Sequence, residues 1–196
     1  MLARFLAGFA LAAGLLISHG QALAYPPDLD HGGGGNFFSA LFGNLFTGGS
    51  PVPRTVVSFP ENHRPGTIVI NTSERRLYYM LGNGQAIRYG IGVGRDGFTW
   101  SGVRTVSSKR EWPDWTPPEQ MLRRRPDLPR YMPGGIENPL GARAMYLGST
   151  LYRIHGSNEP ETIGTAVSSG CFRMTNDDVV DLYNRVRIGT TVIVRH

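Results

Sequence analysis

A second cysteine is missing. Cys171 stands alone in 196 residues, so no intrachain disulfide can form. Lysine is almost missing as well: Lys109 is the only one, and arginine carries the rest of the positive charge. Acidic residues are outnumbered, which leaves a net charge of +5 at pH 7. Mild basicity of this kind suits an anionic partner such as a cell-wall polymer, a phospholipid or a nucleic acid. Internal repeats and heptad patterns are missing, which argues against a repeat array or a coiled coil. The length then fits one domain with its own core. Long apolar runs are missing everywhere except at the start of the chain, so no membrane span is expected in the remainder.

That start reads MLARFLAGFALAAGLLISHGQALA. Arg4 gives a positive beginning, Phe5 to Ile17 is apolar apart from small residues, and Ala22-Leu23-Ala24 is an A-x-A cleavage pattern. Residues 1–24 are therefore expected to be a signal peptide, with Tyr25 as the mature N-terminus and an uncleaved anchor as the weaker alternative. Export through the inner membrane of a bacterium places the protein in the periplasm or cell envelope. It also removes nucleic acid from the partners.

Residues 25–64 read as a glycine- and proline-rich flexible segment. Within it, Phe37, Phe38, Leu41, Phe42, Leu45 and Phe46 recur at helical spacing, a candidate amphipathic contact with a membrane or partner. Order is expected from Pro65. Thr67 to Asn71 is β-branched, and the runs Arg76 to Leu81 and Ala86 to Ile91 flank Gly82-Asn83-Gly84-Gln85. Asn-Gly between two apolar runs is a strong hairpin signal, because both residues tolerate positive φ. Further β-like runs are Trp100 to Ser107, Ala144 to Leu147, Tyr152 to Ile154 and Thr191 to Val194. Between them lies EWPDWTPPEQMLRRRPDLPRYMPGGIENPLG, whose prolines and glycines forbid regular strands. A loop of this length reads as a lid or binding surface. Within it, the Arg123-Arg124-Arg125 run reads as a solvated face. One helix is clear: Thr175 caps it in a T-x-x-D box, Val179, Leu182, Tyr183 and Val186 form its apolar stripe, and Gly189 ends it. The expected fold is mainly β, a sandwich or barrel-like core with this helix just after Cys171.

A lone thiol is either inert and buried or kept for its reactivity. With an ordinary pKa near 8.5, only a few per cent is thiolate at neutral pH, so catalysis would need a base or a positive environment. Outside the leader, His31 lies in the glycine-rich segment, His63 before the first expected strand and His196 at the C-terminus. Only His155 ends a β-like run. The arginine a cysteine phosphatase needs six residues after its nucleophile is Asp177 here, and the papain-type C-G-x-C-W is absent. One Cys and one well-placed His fall short of a zinc site, so no metal or cofactor is expected. The neighbours Ser169 and Gly170 make a poor apolar wall, which favours a nucleophile over a structural sulfur.

YRIHGSNEPETIGTAVSSGCFRMTNDDVVDLY resembles the signature of the L,D-transpeptidase catalytic domain (YkuD; ErfK/YbiS/YcfS/YnhG). That pattern is H-G, a loop, then S-x-G-C-[apolar]-R: here His155-Gly156, then Ser168-Ser169-Gly170-Cys171-Phe172-Arg173. WPDWTPPEQM and MPGGIENPLG look like the family's upstream loop segments, and the match covers residues 65–196. Many members carry His where this chain has Ser169.

The resemblance implies a cysteine acyltransferase acting on peptidoglycan stem peptides. Cys171 would attack the diamino acid–D-Ala bond of a tetrapeptide, release D-alanine and form a thioester. An amine would then take the acyl group, giving a 3→3 cross-link or attaching an envelope protein to the wall. His155 would be the base, oriented by the Gly156 carbonyl. Backbone N–H groups of Gly170 and Cys171 would form the oxyanion hole. Ser168, Ser169, Arg173, Tyr131 and Met132 are candidate substrate-binding residues, the two serines equally as residues that only shape the turn and Arg173 more as a brace. The competing readings are an L,D-carboxypeptidase that trims tetrapeptides, and a non-catalytic wall-binding protein.

Overall fold

The computed structural model describes residues 50–196. The leader and the aromatic run between Phe37 and Phe46 lie outside the described residues. The order of elements is β1 (Thr55–Ser58), β2 (Ile68–Asn71), β3 (Arg76–Gly82), β4 (Gln85–Gly90), β5 (Val93–Gly94) and β6 (Gly102–Glu111). There follow α1 (Glu119–Arg124), β7 (Arg143–Leu147), β8 (Arg153–His155), a 3-10 turn (Pro160–Thr162), β9 (Ala166–Ser168), β10 (Phe172–Arg173), α2 (Asn176–Arg185) and β11 (Thr191–Arg195).

Nine strands join in the order β1-β4-β3-β2-β11-β6-β7-β8-β10. The long strand β6 connects the two halves. Its first residues pair antiparallel with β11, its last with β7, and the register slips between Val106 and Ser108. Residues from both halves share one core: Ile68, Leu77 and Tyr89 meet Met145, Ile154 and Phe172, and α2 adds Val179 and Leu182. The β2 strand is buried on both faces, because Val69 joins Phe59, Met80 and Ala86 in a second, smaller cluster. This is the mainly β, barrel-like core with one main helix that the pattern predicts.

The hairpin forms as expected. Asn83 (φ 52°) and Gly84 (φ 68°) both take the left-handed conformation a tight two-residue turn requires. The helix α2 starts where expected too, with the Thr175 side chain accepting the Asp178 N–H at 3.3 Å. It stops at Arg185, earlier than Gly189, and Lys109 donates to the carbonyls of Tyr183 and Val186 at its end, 2.6 Å each.

Two expectations need correction. Order begins upstream of Pro65: Thr55–Ser58 is an edge strand paired antiparallel with Gln85–Arg88 of β4. Phe59 is buried behind it, and Arg54 reaches Asp178 on α2 at 3.1 Å. Neighbouring glycines and prolines hide this run, but a partner strand supplies what local propensity does not. The long loop also contains α1, six residues of good helix formers between Pro118 and Arg125. The loop is pinned as well. Trp115 and Met132 exchange backbone hydrogen bonds at 2.8 Å, and buried Asn138 donates to Met132 and Pro133 carbonyls.

Candidate active site

Strand alternation builds the site. On β8, Ile154 points into the core, so Arg153 and His155 share the opposite face. The β10 strand lies parallel beside it, with Phe172 opposite Ile154 and Arg173 opposite His155. Phe172 is in the core, so Cys171 and Arg173 emerge on the same face as Arg153 and His155. All four line one cleft of about 350 Å³. Its other walls include Phe98, Trp115, Met121 and Tyr152, so the interior is largely apolar.

His155 is buried, and its ring is fixed. Nδ1 donates to the Gly156 carbonyl at 2.6 Å, which leaves Nε2 as the acceptor nitrogen. Burial pushes its pKa down to about 3, with the Gly156 carbonyl opposing and the charges of Arg173 and Arg153 adding to the fall. The imidazole is therefore neutral at physiological pH. Burial likewise pushes the Cys171 thiol above its ordinary range, while hydrogen-bond donors and charge from Arg153 pull it down. Cys171 is half-buried, and its thiol donates to the Leu151 carbonyl at 3.7 Å. Both shifts favour a neutral thiol and a neutral imidazole on this cleft over a thiolate–imidazolium ion pair.

The turn before Cys171 requires glycine. Gly170 has φ +105°, and a Cβ there would sit 2.6 Å from the Tyr152 ring. Trp100 stacks on Tyr152 with ring centroids 4.6 Å apart, and its Nε1–H donates to the Gly170 carbonyl at 3.0 Å. This fixes the Gly170–Cys171 peptide. Ser168 completes the turn: its hydroxyl donates to the Cys171 carbonyl at 2.6 Å and accepts the Gly170 N–H at 3.1 Å.

That last bond corrects one expectation. The Gly170 N–H is already taken, so of the two expected oxyanion donors only the Cys171 N–H is free among the described residues. Ser168 thus shapes the turn, while Ser169 stays on the cleft wall. Arg173 is a brace, but through a carboxylate: Nη1 meets Glu159 Oε2 at 2.7 Å. Tyr131 is exposed and does not line the cleft; the backbone bonds that tie Met132 to Trp115 leave it outside. Met132 lines a neighbouring cavity of about 430 Å³ that shares Trp115, Ser169 and Arg173 with the cleft.

Several residues escape the sequence reading. Arg153 is visible in hindsight, because it lies two residues before His155 on a strand. Arg124 departs from the solvated-face reading: Arg123 and Arg125 pair with Glu119 and Asp127, whereas Arg124 turns to the Phe98 ring at 5.5 Å and lines the cleft. Trp100 and Phe98 carry no local signal of their roles. Among the described residues, no three His, Cys, Asp or Glu side chains converge as metal ligands.

A lone thiol, a neutral imidazole held by a backbone carbonyl and a glycine turn on one cleft are the parts that thiol-dependent acyl transfer uses. Residues 65–194 match the family model described as YkuD, the L,D-transpeptidase catalytic domain, and the chain belongs to that family. It is 39% identical over 150 residues to the probable L,D-transpeptidase ErfK/SrfK of Escherichia coli K12, covering 72% of this chain and 47% of that protein. It is 41% identical over 143 residues to the probable L,D-transpeptidase YcfS of the same organism, covering 68% and 44%. The chain thus spans about half the length of these curated relatives. Among solved structures, an L,D-transpeptidase from Mycobacterium smegmatis superposes with a TM-score of 0.54 at 16% identity, covering 66% of this chain and 58% of that one. L,D-transpeptidase 3 from Mycobacterium tuberculosis gives a TM-score of 0.51 at 20% identity, covering 66% and 60%; both likenesses concern the fold.

Proposed function

We propose that this protein is an exported peptidoglycan L,D-transpeptidase working in the cell envelope, with Cys171 as nucleophile and His155 as general base. The observation that carries the reading is the shared cleft face of His155 and Cys171, together with the hydrogen bond that leaves His155 Nε2 as the acceptor. The export step rests on the leader pattern of residues 1–24.

In this mechanism a tetrapeptide stem enters the cleft. As Cys171 Sγ attacks the carbonyl at the L-centre of the diamino acid, its proton passes to His155 Nε2. The Cys171 N–H faces the developing oxyanion, with Ser169 as a candidate second donor. The tetrahedral intermediate collapses, the C–N bond breaks, and His155 returns the proton to the leaving D-alanine amine. A thioester remains. An acceptor amine attacks it, loses a proton to His155, and the sulfur departs to take that proton back. A stem amine as acceptor yields a 3→3 cross-link, and a protein amine yields attachment to the wall. Water yields the trimmed tripeptide, the outcome of the carboxypeptidase reading. Because both partners rest neutral, proton transfer accompanies attack and does not precede substrate.

The test is product analysis by mass spectrometry after incubation with stem tetrapeptide, beside Cys171→Ala and His155→Ala. Dimer with loss of D-alanine, abolished in both variants, is the expected result. Tripeptide alone would replace transfer with trimming. No product would return the chain to wall binding. A faropenem-derived adduct is described for L,D-transpeptidase 3 of Mycobacterium tuberculosis. Faropenem should therefore add mass to the wild type and not to Cys171→Ala.

A further inference from the structure

The cleft around Cys171 carries an unbalanced charge. Among the described residues its wall holds three guanidinium groups, from Arg124, Arg153 and Arg173, and no carboxylate. Arg173 is neutralised by Glu159, which stands outside the cleft wall. Arg124 rests on the Phe98 ring, and its neighbours Arg123 and Arg125 take the nearby acids. Of the three, only Arg153 has a guanidinium nitrogen buried without a hydrogen-bond partner. Its Nη1 donates to the Leu151 carbonyl at 3.2 Å, its guanidinium lies over the Tyr146 ring at 5.0 Å, and the unpartnered nitrogen is Nε.

Position matters as much as charge. Arg153 and His155 are i and i+2 on β8, and Cys171 immediately precedes the strand that pairs with them. The Leu151 carbonyl accepts from both the Cys171 thiol and the Arg153 guanidinium, so the two groups converge on one oxygen. A planar fork of donors beside the nucleophile, in a largely apolar cleft, is suited to a carboxylate. An apolar wall strengthens such a contact, because little water competes for the charge.

We infer that Arg153 is a specificity-determining residue that receives a carboxylate flanking the bond Cys171 attacks, so that the cleft selects anionic acyl donors over amidated ones. The inference rests on the acyl-transfer reading above. In a tetrapeptide stem the group that answers this description is the free carboxylate of the terminal D-alanine. Arg153 then holds the leaving group in place while the C–N bond breaks. Arg124 adds a second positive charge to the same cleft and favours the other carboxylates of an acidic stem.

The test separates the anion site from the reaction by using two alkylating agents that differ only in charge. The agents are iodoacetate and iodoacetamide. In both, the thiolate sulfur bonds to the CH₂ carbon as the C–I bond breaks, which leaves a carboxymethyl or a carbamoylmethyl group on sulfur and releases iodide. Both start from the same resting thiol, so the ratio of their rates cancels the effect of Arg153 on the ionisation of the free enzyme's thiol. The ratio is measured for the wild type, Arg153→Gln and Arg153→Lys, with glutathione as an unstructured reference thiol. The wild type should prefer iodoacetate relative to glutathione. Arg153→Gln should lower the ratio about tenfold, the order expected for losing one charge-assisted contact. Arg153→Lys should keep most of it. A wild-type ratio equal to that of glutathione, or an equal slowing of both reagents in Arg153→Gln, would overturn the proposal and leave Arg153 as a structural or thiol-tuning residue. A second arm compares stem tetrapeptides ending in D-alanine or D-alanine amide. The wild type should favour the free acid in kcat/KM, and Arg153→Gln should erase that preference. Equal use of both peptides by the wild type overturns the proposal. If neither peptide turns over while the alkylation preference holds, the transpeptidase reading fails and the anion site stands.

Discussion

Replacing Gly156 with alanine puts a methyl group where the fold has no room. A Cβ built there lies 2.3 Å from Asn176 Oδ1, 3.0 Å from the Ala142 nitrogen and 3.2 Å from Gly141 Cα. Relief requires a shift of about 1 Å. Asn176 cannot retreat freely, because its Oδ1 accepts the Ala142 N–H at 2.8 Å. The adjacent Gly141 is equally confined by the same oxygen. The easier movement is that of the Gly156 peptide, and its carbonyl is the group that holds His155 Nδ1. Overpacking of this kind costs about 1–3 kcal/mol, and disturbing the His155–Gly156 carbonyl bond adds about 1 kcal/mol. For a domain of this size the melting temperature should fall roughly 5–15 °C. Misplacing the imidazole by about 1 Å should lower kcat on the order of a hundredfold.

Circular dichroism melts and turnover of a stem tetrapeptide measure the two effects. The cause can be isolated with Asn176→Ala, which removes the oxygen the methyl strikes. In that background Gly156→Ala should cost at least about 1 kcal/mol less, a coupling expected for residues in direct contact. A Gly156→Ala protein with an unchanged melting temperature and near wild-type kcat would refute the reasoning. So would strict additivity in the double variant.

Three further outcomes follow from the same geometry. The rate of Cys171 alkylation should climb steadily with pH through the neutral range, without a low-pH thiolate plateau; a plateau below pH 6 would mean that the thiol and imidazole rest as an ion pair. Acid should weaken the fold through His155. Its folded pKa of about 3 lies below the ordinary 6.5, so the unfolded chain takes up the proton first as pH drops. Stability from this residue is then complete above pH 6.5 and declines towards pH 3 by up to about 1.4 kcal/mol per pH unit. Urea titrations should show that slope reduced in His155→Gln. Finally, Lys109→Met strips two charge-assisted bonds from the end of α2 and should lower the urea midpoint by an amount worth about 2 kcal/mol. An unchanged midpoint would show those carbonyls to be satisfied by water.

The central strands, the hairpin and α2 were legible because each carries a local signal. Asn83-Gly84 meets a backbone demand, and Thr175 with the spacing of Val179 and Leu182 marks a helix start and its buried face. The pair His155 and Cys171 was legible from residue chemistry, and so was the Gly156 carbonyl once the family pattern was seen. What stayed hidden depends on partners distant in sequence. β1 is a strand because β4 offers it an edge. Ser168 looked available to substrate because nothing local shows that its hydroxyl bridges Gly170 and Cys171. Tyr131 and Met132 looked like substrate-binding residues because they lie in the long loop, yet Asn138 pins that segment from within. Arg153 needed only the period-two rule, applied backwards from His155.

The resting chemistry gives a physical reason for a lone thiol to survive until it is used. Oxidation and mixed-disulfide formation go through the thiolate. Burial raises the Cys171 pKa, and neutral His155 offers no cation to bring it down. The thiol rests on the Leu151 carbonyl, so its proton is held in a hydrogen bond and not shared with a strong base. Arg153 is the one nearby group whose donors and charge pull the other way, and it reaches for that same carbonyl. A carboxylate arriving in the cleft would engage this guanidinium and weaken its pull on the sulfur. An anion bound at Arg153 therefore would not activate Cys171 through charge. In the proposed mechanism activation comes instead from the carbonyl under attack, whose oxyanion would take the Cys171 N–H as the proton moves to His155. Reactivity is thereby tied to a correctly seated acyl donor. A small oxidant, which supplies no such carbonyl, meets a protonated sulfur.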